Sequence, residues 1–291
     1  MKPFDDQLVS GNVFRSVWKL TWPLVLLNMV NGVHGFVDHV LVGRYVQSPN
    51  NAANAGIGVA WQVFLVIVVF ISSLYHGMNV LIARYAGRRD RDTVSLVAYQ
   101  TFLATLIILL CIVGPIGYLL APQLIRIARP SAEVMSYAVP YIRTLFLLGS
   151  PIFLLLMLTG AMQASGDPRI PLMLGVLATT LNVVLSFFLI TGIGPWPALG
   201  AKGAAVATCL APLVSVIVAL CIIFRRHTII QPPARLLLRL DFSVLKAVGR
   251  IGTYTGIQAV LLNLGGVLLF RYIGALEEKT AAQAAYTICY A

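Results

Sequence analysis

An all-α polytopic membrane protein is the fold class this sequence predicts, and three observations carry that expectation. Hydrophobic residues make up 59% of the chain and charged residues 11%, against about 25% charged in soluble domains. Apolar stretches of about 20 residues recur along the chain, each long enough to cross a ~30 Å hydrocarbon core as a helix. Basic residues alternate with those stretches. Of the 21 Lys and Arg, fourteen fall in the N-terminus and in three alternate loops, around 84–91, at Arg169 and over 225–250. The positive-inside rule therefore places the N-terminus in the cytoplasm. A net charge of +11 would also suit nucleic acid, but its distribution follows the membrane. The N-terminus has no short apolar core followed by a cleavage site, so the first span is expected to be retained. The four cysteines have no C-x-x-C spacing, indicate neither a metal site nor a disulfide framework, and are expected to be packing residues.

The first span, residues 20–43, has Asp38 as its only formally charged residue. A carboxylate in mid-membrane costs from roughly 2.5 kcal/mol upwards. At ~100° per residue, Asn28, Asn31, Asp38 and His39 share about a third of the helix circumference, a polar stripe that should face protein or water. Two readings follow. Asp38 pairs with His34, one turn earlier, or caps a broken helix; alternatively it binds an ion or a proton during transport.

A polar connection leads to the second span, 52–83, where Ser72, Tyr75, His76 and Asn79 lie on one face. AGRRDRD is a charged turn, with no glycine-rich cradle for a phosphate. The third span is 94–121. Residues 122–143, with prolines and charges, read as an external interfacial segment. The fourth span, 141–164, is closed by the turn SGDPRIP. The fifth, 171–191, carries Gly175, Thr179, Asn182 and Ser186 along one face; such residues pack membrane helices together, but an amide as deep as Asn182 requires specific partners. The sixth span is 204–224. A basic, proline-containing linker covers 225–246, and 240–252 resembles an amphipathic surface helix expected to lie on anionic lipid. A seventh span, 253–272, and the opening of an eighth complete the chain. The predicted organisation is a six-helix unit over 1–224, a cytoplasmic linker over 225–246, and the start of a second unit over 247–291.

Self-similarity supports that division. AANAGIGVAW at 52–61 resembles AAQAAYTICY at 281–290, and VLVGRYV at 40–46 resembles VLLFRYI at 267–273, in the same order and at nearly the same offset. Six spans separate the copies, so they share orientation, as in a parallel repeat about the membrane normal. A complete second unit would need roughly 200 more residues, so the chain is expected to be a fragment or an early-terminated reading frame.

The motifs FVDHVLVGRY, GMNVLIARYAGRRDRD, GAMQASGDPRIPLMLGVLATTLNVVLSFFLITG and LGAKGAAVATCLAPLVS, in that order and spacing, resemble the MATE family of multidrug and toxic compound extrusion transporters. The resemblance covers essentially the whole chain. It implies twelve spans in two six-helix lobes, of which this chain would hold the N-terminal lobe, a seventh span and part of an eighth. It also implies a protein that is not an enzyme, lies in the inner membrane, and exports cationic or amphipathic drugs in exchange for protons or sodium ions. The family's first-span acid falls on Asp38 and its fifth-span asparagine on Asn182, giving an ion-coupling pair with no cofactor beyond H+ or Na+. Where many members have a second acid, this chain has Ser186. The family's fourth-span polar position falls on Thr159 and its sixth-span hydroxyl on Thr208. With Asn28, Asn31, His34 and Thr179 these are the expected cavity residues.

A lipid-linked precursor flippase of the same superfamily is the alternative, and it would need cationic residues in the cavity to hold pyrophosphate. The spans are nearly free of Arg and Lys. A membrane prenyl- or glycosyltransferase would need acid pairs for a metal–diphosphate site, and the adjacent Asp5 and Asp6 sit in a polar tail. Expected partners are therefore a small-molecule substrate, membrane lipid and the missing second lobe, with no nucleic acid.

Overall fold

The computed structural model describes residues 13–193, 197–231, 240–275 and 279–290, and within them every regular element is a helix. In chain order these are α1 (Val13–Tyr45), a short 3-10 turn (Pro49–Asn51), α2 (Ala52–Gly87), α3 (Arg91–Ile108), a π turn (Leu109–Val113) and α4 (Gly114–Arg126). There follow α5 (Ala132–Leu148), α6 (Ser150–Ala164), α7 (Arg169–Thr191), α8 (Ala201–Phe224), α9 (Phe242–Ile273) and α10 (Lys279–Tyr290). Among the described residues five stretches are long and apolar enough to cross a membrane, and α5 with α6, bent by 52°, add a sixth if the pair is one broken span. The 36-residue α2 runs through their middle, packing against α9, α5, α10, α3 and α6.

Two prolines shape the long spans. Pro115 has no N–H to return to Cys111, and the helix absorbs the loss by widening: Gly114 N–H bonds back to Leu109 O, five residues earlier. α3 and α4 so remain one span, Arg91–Arg126. At Pro151 the outcome is a bend. Gly149 N–H closes α5 on Leu145 O at 2.8 Å, and α6 restarts with proline in its first turn.

The segment 122–143, expected as an interfacial excursion, is instead the end of α4 and the first two-thirds of α5. Ser131 caps α5, its Oγ accepting from Val134 N–H at 3.3 Å. One face of the new helix, Val134, Ala138, Tyr141 and Ile142, is buried. A second difference concerns 240–252, which is the first part of the 32-residue α9, continuous with the seventh span. Asp241 caps it, accepting from Ser243 and Val244 N–H groups at 2.9 and 3.4 Å.

Gly252 and Gly256 do not break α9 because they are its contact with α2. A Cβ on Gly252 would strike the carbonyl of Ser73, one on Gly256 the hydroxyl of Ser73, and one on Gly77 the carbonyl of Val248. Small residues let two membrane helices approach to backbone contact. Gln62 Nε2–H adds a hydrogen bond to Asn263 O at 3.1 Å.

The two helix pairs α1–α2 and α9–α10 are built alike. Each first helix ends on a basic last turn, Arg44 or Arg271. A buried amide near the start of each second helix reaches back to a carbonyl of the first: Asn54 Nδ2–H to His39 O at 3.2 Å, Gln283 Nε2–H to Phe270 O at 3.4 Å. Asn54 and Gln283 are the aligned residues of the sequence repeat.

Candidate functional site

Two adjoining cavities contain most of the expected polar residues. The first, about 360 Å3, is walled by α1, α2, α5, α8, α9 and α10, and Asp38 and His39 line it with Gln62, Tyr141, Thr208 and Thr287. Asp38 is 8% exposed. Its helix is held in place by Asn54, which is 1% exposed and makes two hydrogen bonds to it and a third to the turn before α2. Its Oδ1 accepts from His39 Nδ1 at 3.1 Å with that nitrogen as the protonated one, and its Nδ2 donates to His39 O and, at 3.1 Å, to Asn51 Oδ1. Gly43 lies under this amide and leaves it room: a Cβ there would sit 3.1 Å from Asn54 Nδ2.

The second cavity, about 520 Å3, lies between α1, α2, α6, α7 and α8. Asn28, Thr159, Thr179, Asn182 and Thr208 line it together with the aromatic Trp61 and Tyr75. Asn182, 2% exposed, has the specific partners its depth demands. Its Nδ2 donates to Thr208 Oγ1 at 3.3 Å, and its Oδ1 accepts from Ser186 Oγ at 3.5 Å. Thr208 passes its own hydroxyl hydrogen to Ala204 O at 2.9 Å. One N–H and one acceptor position of the Asn182 amide are so used, of the two it has of each.

Thr208 and Trp61 belong to both cavities. Asp38 and Asn182, expected as a pair, line different ones, and the Thr208 hydroxyl stands at their shared wall. Ser186, fully buried, supports Asn182 and lines neither. The Thr159 hydroxyl is spent on Leu155 O at 2.8 Å. The side chains of Asn31 and His34 lie outside the described residues. Among the described residues Asp38 is the single acid lining either cavity, neither is lined by Arg or Lys, and no three His, Cys, Asp or Glu side chains gather as a metal site.

Residues 23–188, more than half of the chain, match the MatE family profile. The chain belongs to the MatE family. Among MatE relatives, the probable multidrug resistance protein NorM of Thermotoga maritima is 30% identical over 89% of this chain and 54% of its own length. The probable multidrug resistance protein YoeA of Bacillus subtilis is 24% identical over 93% of this chain and 58% of its own length. A solved MOP superfamily transporter from Pyrococcus furiosus superposes with a TM-score of 0.78 at 23% identity, covering 89% of this chain and 56% of that one. An outward-facing multidrug resistance MATE family transporter gives 0.76 at 24% identity, over 87% and 54%. The chain spans about half the length of the curated relatives it matches; those relatives are named as multidrug resistance proteins and the solved neighbours as transporters, none as an enzyme.

Within this MatE fold the sequence reading missed several lining residues. Tyr141, 4% exposed and beside Asp38, falls where the expected interfacial segment, 122–143, overlaps the start of the expected fourth span. Its signal was the apolar period Val134, Ala138, Tyr141, Ile142 and Leu145. Tyr75 was on a stripe already noted; Gln62 and Thr287 carry no signal in a single sequence.

Proposed function

We propose that this chain is the ion-coupling part of a secondary antiporter that exports cationic or amphipathic drugs in exchange for protons or sodium ions. One observation carries the reading: a single buried acid, Asp38, lines a cavity that shares Thr208 and Trp61 with a larger, cation-free cavity. The larger cavity suits an amphipathic cation. Its apolar walls remove the substrate's hydrocarbon from water, the faces of Trp61 and Tyr75 attract positive charge, and no basic side chain opposes it. The smaller cavity holds the group that changes charge. A carboxylate there favours a cationic occupant, whereas a protonated or sodium-bound Asp38 does not, so ion and substrate exclude one another. Asn182 and Ser186 fix the Thr208 hydroxyl through which the two cavities meet.

The basic loops orient the chain with its N-terminus in the cytoplasm of an inner membrane. Export by this scheme requires a second unit facing this one, so the 291 residues expressed alone should give no drug resistance. The test is Asp38→Asn in a polypeptide carrying this chain followed by a second six-span unit. Asparagine keeps shape and hydrogen bonding but cannot change charge. Drug resistance should fall to that of cells lacking the transporter, at unchanged protein amount. Undiminished resistance removes Asp38 from the mechanism.

A further inference from the structure

A third cavity, of about 240 Å3, lies at the end of the bundle where the basic loops cluster. Ala98 and Phe102 of α3, Met157 and Ala161 of α6, and Leu220 and Phe224 of α8 form its walls. Unlike the other two it is roofed by a loop. After α8 the backbone turns at Arg226, whose φ of 58° is left-handed, with His227 N–H bonding to Ile222 O at 3.2 Å. Thr228, Ile229 and Ile230 then fold back to 1%, 3% and 5% exposure. Gln231 N–H donates to Ser95 Oγ at 3.0 Å, tying the roof to α3, and the Thr228 hydroxyl braces it on Ile230 O at 2.6 Å. Asp241 N–H, beyond the segment 232–239, is held by Gln100 Oε1 at 2.9 Å.

The cavity is therefore closed above and open at its side. Tyr99, Phe102 and Leu220 are half-buried and Phe224 is 56% exposed, leaving a window between α3 and α8. A membrane-spanning chain presents such a window to lipid tails. Arg225 and Arg226 follow Phe224 directly and both are exposed, as is Arg88 before α3. Of the two acids at the start of α3, the cap Asp90 is already engaged by Thr93, whose N–H and hydroxyl donate to it at 3.1 and 2.6 Å, and Asp92 is exposed in the first turn. An apolar slot beside an exposed guanidinium pair has the polarity of one kind of molecule. Its tail is apolar and its head carries a phosphate that arginine binds through paired N–H groups.

We propose that this cavity is a binding site for an anionic phospholipid, with a segment of one acyl chain in the slot and the phosphate on Arg225 and Arg226. Ser95 is the positioning residue that keeps the roof closed over it. The site is independent of the transport reading, because lipid retention is read without transport.

The experiment is native mass spectrometry of the detergent-purified 291-residue chain, titrated with phosphatidylglycerol or with phosphatidylcholine of the same acyl composition. Wild type should retain one phosphatidylglycerol in preference to phosphatidylcholine. Arg225→Gln and Arg226→Gln should each lower that preference by about fivefold, the contribution of one basic residue at an anionic surface. Ala161→Trp, which fills the slot, should abolish retention of both lipids at this position. Leu220→Trp, at the half-buried window, gives the same loss with less demand on the core, and helicity by circular dichroism shows which variants are folded. Met173→Trp, on an exposed face of α7, should change nothing. Equal retention of the two lipids by wild type, or undiminished phosphatidylglycerol retention in a folded slot-filling variant, overturns the proposal. If neither tryptophan variant folds, the arginine variants decide: unchanged lipid preference in both also overturns it.

Discussion

Replacing Asn54 by alanine tests how the helix carrying Asp38 is held. The amide makes three hydrogen bonds of 3.1 to 3.2 Å, to His39 Nδ1, His39 O and Asn51 Oδ1, in a site that is 1% exposed. A hydrogen bond contributes about 0.5–1.5 kcal/mol net in water-soluble proteins, and side-chain bonds between membrane helices average about 0.6 kcal/mol. Three such bonds give about 2–3 kcal/mol for Asn54→Ala. Gln283→Ala, at the equivalent place in the second helix pair, removes the 3.4 Å bond to Phe270 O and should cost less than half as much, about 0.5–1 kcal/mol. Asn54→Leu keeps the volume but strands His39 Nδ1–H, so it should be no milder than alanine. The assay is reversible unfolding of the detergent-solubilised chain, followed by circular dichroism. A loss below about 0.5 kcal/mol for Asn54→Ala, or a larger loss for Gln283→Ala than for Asn54→Ala, would refute the clamp.

Gly252→Val places side-chain carbons on the Ser73 carbonyl and should separate α9 from α2; a disulfide between cysteines engineered at Ser73 and Gly256 should then form slowly or not at all, whereas rapid formation contradicts the contact. Asp90 is held below the ordinary carboxylate value of 3.8 by its bonds to Thr93. A depressed value stabilises the charged cap above the ordinary carboxylate range, and that contribution is lost as pH falls through the depressed value. Asp90→Ala should therefore speed amide exchange at Thr93 and Val94 equally at neutral and mildly acidic pH, with the difference vanishing only in strong acid; a difference that titrates near neutrality would be inconsistent with this cap. Cysteines placed at Gln47 and at Arg89 should label from opposite faces of the membrane, Arg89 from the cytoplasm, and labelling of both from one face would reverse the topology.

Much of the architecture was legible because hydropathy is a direct record of what faces lipid. The spans at 171–191 and 204–224 agree with α7 (Arg169–Thr191) and α8 (Ala201–Phe224) to within three residues. Prolines were harder to read. Pro115 is absorbed by a π turn and Pro140 lies inside α5, whereas Pro151 follows a 52° bend. Composition alone does not distinguish these outcomes, since they depend on which carbonyls find other donors. Taking Pro140, Arg129 and Glu133 as marks of an interfacial segment hid the buried face of α5, and Tyr141 with it.

The polar stripe of α1 shows the same limit in the site. Asn28 and Asp38 share a face by angle, but ten residues separate them by about 15 Å along a helix, and they enter different cavities. Asn182 could be singled out by its depth; its partner Thr208, on the next helix, could be named only through a family resemblance. Gly252 and Gly256, which nothing in the sequence singles out, are part of the contact surface of α9 with α2. The sequence repeat aligns Asn54 with Gln283, and in the structure each bonds the preceding helix.

The most direct test of the central claim is substrate binding at equilibrium as a function of pH and sodium. A polypeptide carrying this chain and a second six-span unit would be titrated in detergent with tetraphenylphosphonium, a lipophilic cation. If Asp38 holds either the ion or the cation, the wild-type Kd rises as pH falls or as sodium is added, approaching about tenfold per pH unit when one proton is displaced per cation. Asp38→Asn should bind weakly and with a Kd that responds to neither. A wild-type dependence on pH or sodium that survives intact in Asp38→Asn would contradict the account.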